Sequence, residues 1–523
     1  MGNHFLCTVV IGGYAGNLKR MGCVSFERGL GFSSLFWDTP FKLPRDIMIS
    51  IIDTLNSLIW SKALVGLCLL TGLYFTIATR FLQVRMIPTM VRCLWQGKSS
   101  KRGVSSFQAF ALAISGRVGT GNIAGVATAI AMGGPGAVFW MWAIAFLGAG
   151  SAFVESTLAQ LYKSEVDGQF RGGPAEYIER GLKVKWYAVL FAISTVAATG
   201  FCLPGIQSNS IGLAVENAFS LSPVISGGIV VVLLGLIIFG GIKRIGQTAQ
   251  LVVPLMALGY VVIALVVVAL NYERVPGVFA LIFENAFSPS ASFGGIVGSA
   301  VMWGVKRGIY SNEAGQGTGP IAAATAAVNH PAKQGLVQAF SVYIDTWFVC
   351  TATALMILVT KSYNVANPEG GWLEENLAGV ESGPAFTQQA VDTVFAGYGS
   401  GFVAIALLFF AFTTLMAYYY YAESNLSYLI KGSALRGKAI AVLRIAFLGV
   451  VFWGSVKSAS MAWALGDIGV GLMAWLNLVA ILLLSRPALR CLRDFERQAK
   501  EGEVSGFDAE ANGIPNAPFW TKR

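Results

Sequence analysis

The chain has 523 residues, of which 55% are hydrophobic and 12% charged, at a mean hydropathy of +0.63. Soluble domains carry roughly 25% charged residues, so the composition excludes an ordinary soluble domain and indicates a polytopic membrane protein. The net charge of +10 does not mark a nucleic-acid binder, because the basic residues sit in short loops between apolar runs rather than on one face.

Residues 1–47 fit poorly with the rest of the chain. Their longest apolar run, Phe5 to Gly13, is too short to span a bilayer, and they lack the three-part pattern of a cleaved signal peptide. They read as a non-native or disordered extension, with Met48 as the natural start. Apolar segments then occur at roughly 57–79, 106–132, 136–161, 187–205, 223–241, 249–271, 293–328, 336–360, 398–424, 442–464 and 466–485, numbered 1 to 11 in chain order. Lys and Arg crowd the loops after odd-numbered segments and the C-terminal tail, whereas the loops after even-numbered segments hold only Arg274 and Lys361. The positive-inside rule therefore predicts an external N-terminus and a cytoplasmic C-terminus. The seven cysteines form no CxxC pair and read as small buried hydrophobes, and two histidines, His4 and His330, cannot assemble a zinc site.

Two segments are interrupted. GRVGTGNIAGVATA (Gly116 to Ala129) breaks segment 2, and GVKRGIYSNEAGQGTGP (Gly304 to Pro320) breaks segment 7. Non-helical backbone at membrane depth survives only where protein, water or a ligand receives its freed groups. The two breaks lie five segments apart in oppositely directed spans, which predicts an inverted repeat of segments 2–6 and 7–11 with segment 1 as an extra. The predicted organisation is an extra first helix and loop over 48–105, repeats over 106–271 and 293–485, and a tail over 486–523. Freed N–H groups at a half-helix N-terminus suit a carboxylate, and freed carbonyls suit sodium. A close helix-packing groove is the competing explanation for the glycines.

Intramembrane polar residues narrow the search. Lys306, Arg307, Ser311, Asn312 and Glu313 cluster at the second break and Arg117 at the first, while Glu155, Asp345 and Lys457 fall in segments 3, 8 and 10. Glu313 and Asp345 are cation or gating candidates, or members of ion pairs with Arg117, Lys306 or Arg307. Gln207, at the predicted end of segment 4, is a carboxylate donor or a helix-end cap. Thr413 and Thr414 offer hydroxyls to sodium or bond back to their own helix. Tyr418 to Tyr421 form a pocket wall or an interfacial belt.

Gly116 to Trp142 (GRVGTGNIAGVATAIAMGGPGAVFWMW), Met302 to Ala324 and His330 to Ala354 together resemble the sodium:alanine/glycine symporters, with similarity running from about Asn56 to about Arg490. The resemblance implies an all-α membrane protein of eleven transmembrane helices with a leucine-transporter-like 5+5 inverted repeat plus one N-terminal helix. It implies sodium-coupled uptake of alanine or glycine across the bacterial cytoplasmic membrane, with sodium as coupling ion and neither catalytic residues nor an organic cofactor. By similarity, the backbone of Thr120 and Gly121 and the side chain of Gln207 meet the substrate. Tyr310, Ser311, Asn312 and Glu313 face it from segment 7, and Thr414 and Tyr418 close the pocket. Carbonyls of Ser115 and Val118 with hydroxyls of Thr413 and Thr414 hold sodium, and Asn122 and Asp345 form a second cation site. Tyr418 replaces a tryptophan found in some members, and Gln316 an apolar residue. Both departures favour a larger or more polar substrate such as glutamine or serine. Proton coupling is the nearest alternative.

Overall fold

A backbone in lipid has to satisfy its own hydrogen bonds, and the chain does so as helices. The computed structural model describes residues 45–97, 99–287, 293–367 and 369–520. Among these, eight helices are long and apolar enough to cross a membrane: Ser50–Ala78, Gly136–Leu161, Lys185–Phe219, Gly241–Leu270, Pro331–Val359, Gly399–Leu429, Arg436–Ser455 and Ala459–Leu483. They correspond to segments 1, 3, 4, 6, 8, 9, 10 and 11. Segment 5 is the shorter helix Pro223–Ile238, and segments 2 and 7 are the interrupted ones. The extension predicted over residues 1–47 falls outside the described residues, except for the first turn of the helix Arg45–Ile59.

Burial separates the helices by role. Leu251, Leu255, Val442 and Ile445 turn outward on segments 6 and 10, as an apolar face toward lipid requires. Segment 3 is central and packs against segments 7 and 8. Glycines make that packing close: a Cβ on Gly304 would stand 2.5 Å from the Ala137 carbonyl oxygen, and one on Gly308 would collide with Ile144. The groove explanation is therefore right for these two, and the second break is narrower than Gly304 to Pro320.

Three other expectations change. Segment 4 runs on to Phe219, because Gln207, Ser208, Asn209 and Ser210 turn their polar groups inward. Gln207 is thus mid-helix, and the cap reading fails. Lys457 is exposed between segments 10 and 11 rather than within a span. Tyr418 to Tyr421 are all buried, which removes the interfacial belt: Tyr419 bonds Glu423 and receives the Arg444 guanidinium at 2.8 Å. Outside the spans lie two short hairpins, Ser164–Val166 with Gln169–Arg171 and Asn364–Ala366 with Trp372–Glu375. An amphipathic helix, Ser485–Lys500, buries Cys491, Leu492 and Phe495.

Candidate solute and ion site

The helix Ser106–Arg117 opens with a capping box from Ser105 and Gln108 and ends where Val118 turns extended, at φ −75° and ψ 91°. Helix resumes at Thr120, wide-wound over Gly121–Gly125 and regular over Val126–Gly133. The break is thus only Val118 and Gly119, and side chains from elsewhere complete it. The Gly119 N–H donates to Asn122 Oδ1 at 2.8 Å, so the Ser115 carbonyl loses its usual donor four residues on. The Thr120 N–H donates to Gln207 Oε1 at 3.1 Å, and Gln207 Nε2 donates to the Tyr310 hydroxyl at 3.3 Å. An amide oxygen therefore occupies the place at a half-helix N-terminus where an anion would be favoured.

In segment 7 the helix Phe293–Asn312 persists through Tyr310, Ser311 and Asn312, and the chain unwinds from Glu313 (φ 54°) to Thr318. Protein groups satisfy much of this second break. Asn312 Oδ1 accepts from the Ala314 N–H at 3.0 Å, and Glu155 accepts from the Gly315 N–H at 3.2 Å. Asn477 donates to the Gly315 carbonyl at 2.9 Å and to Glu155 at 2.7 Å. Glu155 was legible only as an intramembrane charge, and Asn477 carried no signal beyond its polarity in an apolar run.

The helix that resumes after the first break packs against the helix that precedes the second. A Cβ on Gly121 would lie 3.1 Å from Ser311 Cα and 3.2 Å from Tyr310 Cδ1, so glycine is what lets the segments approach. Beside this contact, Asp345 accepts from Asn122 at 2.6 Å, Ser311 at 2.9 Å and Thr346 at 2.7 Å. The pair suggested for a second cation is thus brought together with two further hydroxyls. Thr414 Oγ1 lies 3.4 Å from the Val118 carbonyl, which joins two members of the suggested sodium set. Both threonines also bond back to their own helix, at the Phe410 carbonyl, at 2.9 and 3.0 Å; Thr413 otherwise faces the Met256 sulfur at 3.7 Å, and the Ser115 hydroxyl bonds back to Leu112. Tyr418 is buried, its ring centroid 6.4 Å from that of Tyr421. Glu313 Oε2 faces Gly116 beside the Tyr421 hydroxyl.

Neither Lys306 nor Arg307 pairs with Glu313 or Asp345. Both bind Asp467 of segment 11, at 2.7 and 2.8 Å, and Arg307 also stacks on Trp463, 4.3 Å from the ring centroid. Asp467 was missed as a site residue, since a lone aspartate in an apolar run does not name its partner.

The sodium:alanine symporter family matches residues 45–509. A sodium/proton-dependent alanine carrier protein of Bacillus sp. (strain PS3) is 53% identical over 437 residues, covering 82% of this chain and 97% of that protein. GlnT of Bacillus subtilis (strain 168), named as a probable sodium/glutamine symporter, is 45% identical over 465 residues, covering 88% and 94%. The crystal structure of MhsT in complex with L-phenylalanine superposes with a TM-score of 0.53 at 13% identity, covering 75% of this chain and 99% of that one. That likeness shows a leucine-transporter-like helical fold.

Proposed function

The chain belongs to the sodium:alanine symporter family, and is a membrane carrier of an amino acid with a cation; from that premise we propose a sodium symporter importing small neutral amino acids, alanine and glycine foremost, by alternating access. The observation that carries the reading is the Gln207 amide oxygen on the Thr120 N–H. The substrate carboxylate displaces it, takes the N–H groups of Thr120 and Gly121, and frees Gln207 Nε2 to donate to it. Tyr310, Ser311, Asn312, Thr414 and Tyr418 enclose the solute. Sodium is held by the Val118 and Ser115 carbonyls with Thr414, and Thr413 joins only after turning from Met256. Asn122 and Asp345 supply the second cation site.

Sodium that favours the solute-competent arrangement of the first break tightens solute binding, and reciprocity makes the solute tighten sodium. Segments 2, 3, 7 and 8 then rock against the rest. The protein lies in the bacterial cytoplasmic membrane, with its basic loops and C-terminus inside.

Proteoliposome uptake of labelled alanine, glycine, serine and glutamine tests this. The expected result is accumulation of alanine and glycine under a sodium gradient at fixed pH. Accumulation driven by a proton gradient without sodium would overturn the coupling. Gln316, buried in the second break, together with Tyr418 favours a second reading with a larger polar substrate; glutamine outcompeting alanine would establish it and leave the mechanism intact.

A further inference from the structure

Next to the first break, on its Ser106 side, lie buried polar groups whose hydrogen bonds are unfilled. Arg117 is 1% exposed. Its Nη1 donates to the Gln338 carbonyl at 3.1 Å and to the Ser341 hydroxyl, while Nε and Nη2 meet no acceptor. Glu313 is fully buried, and neither oxygen meets a donor in hydrogen-bonding geometry, the Thr318 hydroxyl lying alongside. Both atoms of the Gln316 amide and the Tyr421 hydroxyl are likewise unpartnered. A Cβ on Gly116 would stand 2.7 Å from the Tyr421 hydroxyl and 3.1 Å from Glu313 Oε2, so bare backbone is what abuts these groups.

Several other buried charges within the spans are matched. Asp467 holds Lys306 and Arg307, Glu423 holds Arg171 at 3.0 Å, and Glu155 and Asp345 each accept several hydrogen bonds. A buried charge without full compensation is expensive and marks a place where something else completes it. Here Arg117 and Glu313 have opposite sign, adjoin one break, and keep hydrogen-bonding atoms unfilled.

We infer that Arg117 and Glu313 form a second amino-acid station in series with the first. The zwitterion's carboxylate meets Arg117 Nε and Nη2 and its ammonium meets Glu313, while Gln316 and Tyr421 complete the shell. The solute passes through it on leaving the Thr120 site toward the basic side of the membrane. A fixed cation and a fixed anion select a zwitterion, because a singly charged solute leaves one of them unpaired. The station rests on the proposed function, since it needs an amino-acid solute.

The test uses the full chain with Glu313→Gln and Arg117→Gln, singly and together, and measures two quantities against the unaltered protein. Sodium-dependent equilibrium binding of labelled alanine should stay within about twofold, because the first site is intact, while turnover in proteoliposomes falls by about tenfold in each single variant. The double variant should be no worse than either single, as expected when two groups act on one ligand. Unchanged turnover would overturn the station, and so would binding lost in step with transport. So too would Glu313→Gln altering sodium or proton dependence at full turnover, which would make the occupant a cation. If the unaltered protein carries no amino acid, the proposed function itself fails, a distinct result.

Discussion

Replacing Gln207 by glutamate puts the proposed substrate exchange under strain in a calculable direction. In the resting protein the Gln207 amide oxygen lies 3.1 Å from the Thr120 nitrogen. A carboxylate there makes a charge-assisted bond, roughly twice as strong as the neutral one. It also stands about 4 Å from where the solute carboxylate has to arrive, and two like charges at that separation repel by about 4 kcal/mol at an effective dielectric near 20. Rotation away from the break relieves part of this, so about 3 kcal/mol of lost affinity is expected, or roughly a hundredfold rise in half-saturation. Gln207→Ala removes the Nε2 donor without adding charge and should raise half-saturation only severalfold. Labelled-alanine uptake in proteoliposomes reads both, with thermal unfolding in detergent confirming that each variant is folded. If Gln207→Glu kept a half-saturation close to that of the unaltered protein, the solute carboxylate would not bind at the Thr120 N–H.

Thr414→Val keeps the shape but removes the hydroxyl 3.4 Å from the Val118 carbonyl, so the sodium concentration for half-maximal uptake should rise about tenfold; unchanged sodium activation would clear Thr414 of that role. Gly121→Leu drives carbon into Ser311 and Tyr310, already 3.1 and 3.2 Å from its first atom, and should abolish uptake while membrane expression persists. Asp467→Ala strands Lys306 and Arg307 in the interior and should cost about 3–5 kcal/mol, read as a lowered unfolding temperature. Burial against Phe495 and Phe507 holds the His330 imidazole down to about 4, against the opposing pull of Asp494. Its contribution is therefore complete above pH 6.5 and lost as pH falls toward 4. Protease sensitivity of the helix Ser485–Lys500 should rise over that window, and a flat profile would count against His330 as the titrating group.

Much of this fold was legible because lipid leaves the chain few options. Apolar runs of sufficient length become helices, and polar glycine-rich interruptions stand out against them. The first break, the Asn122 and Asp345 pair, and Thr414 beside Val118 all lie where the motifs point. What local sequence does not carry is partnership. Lys306 and Arg307 look like part of the second break until Asp467, about 160 residues on, takes their charge. Gly304 and Gly308 look like chain breakers until segment 3 is seen against them. Gln207 looks like a helix end because an inward-facing polar run interrupts hydropathy without interrupting the helix.

Glu155 and Asn477 lock one interruption from within, whereas the other is closed by a side chain free to let go. In the proposed exchange, only the stretch closed by Gln207 opens to the solute. An effort to retune selectivity should alter residues around Val118–Gly121 and leave Glu155 and Asn477 alone, since changes there would spend stability on the Gly315 clasp.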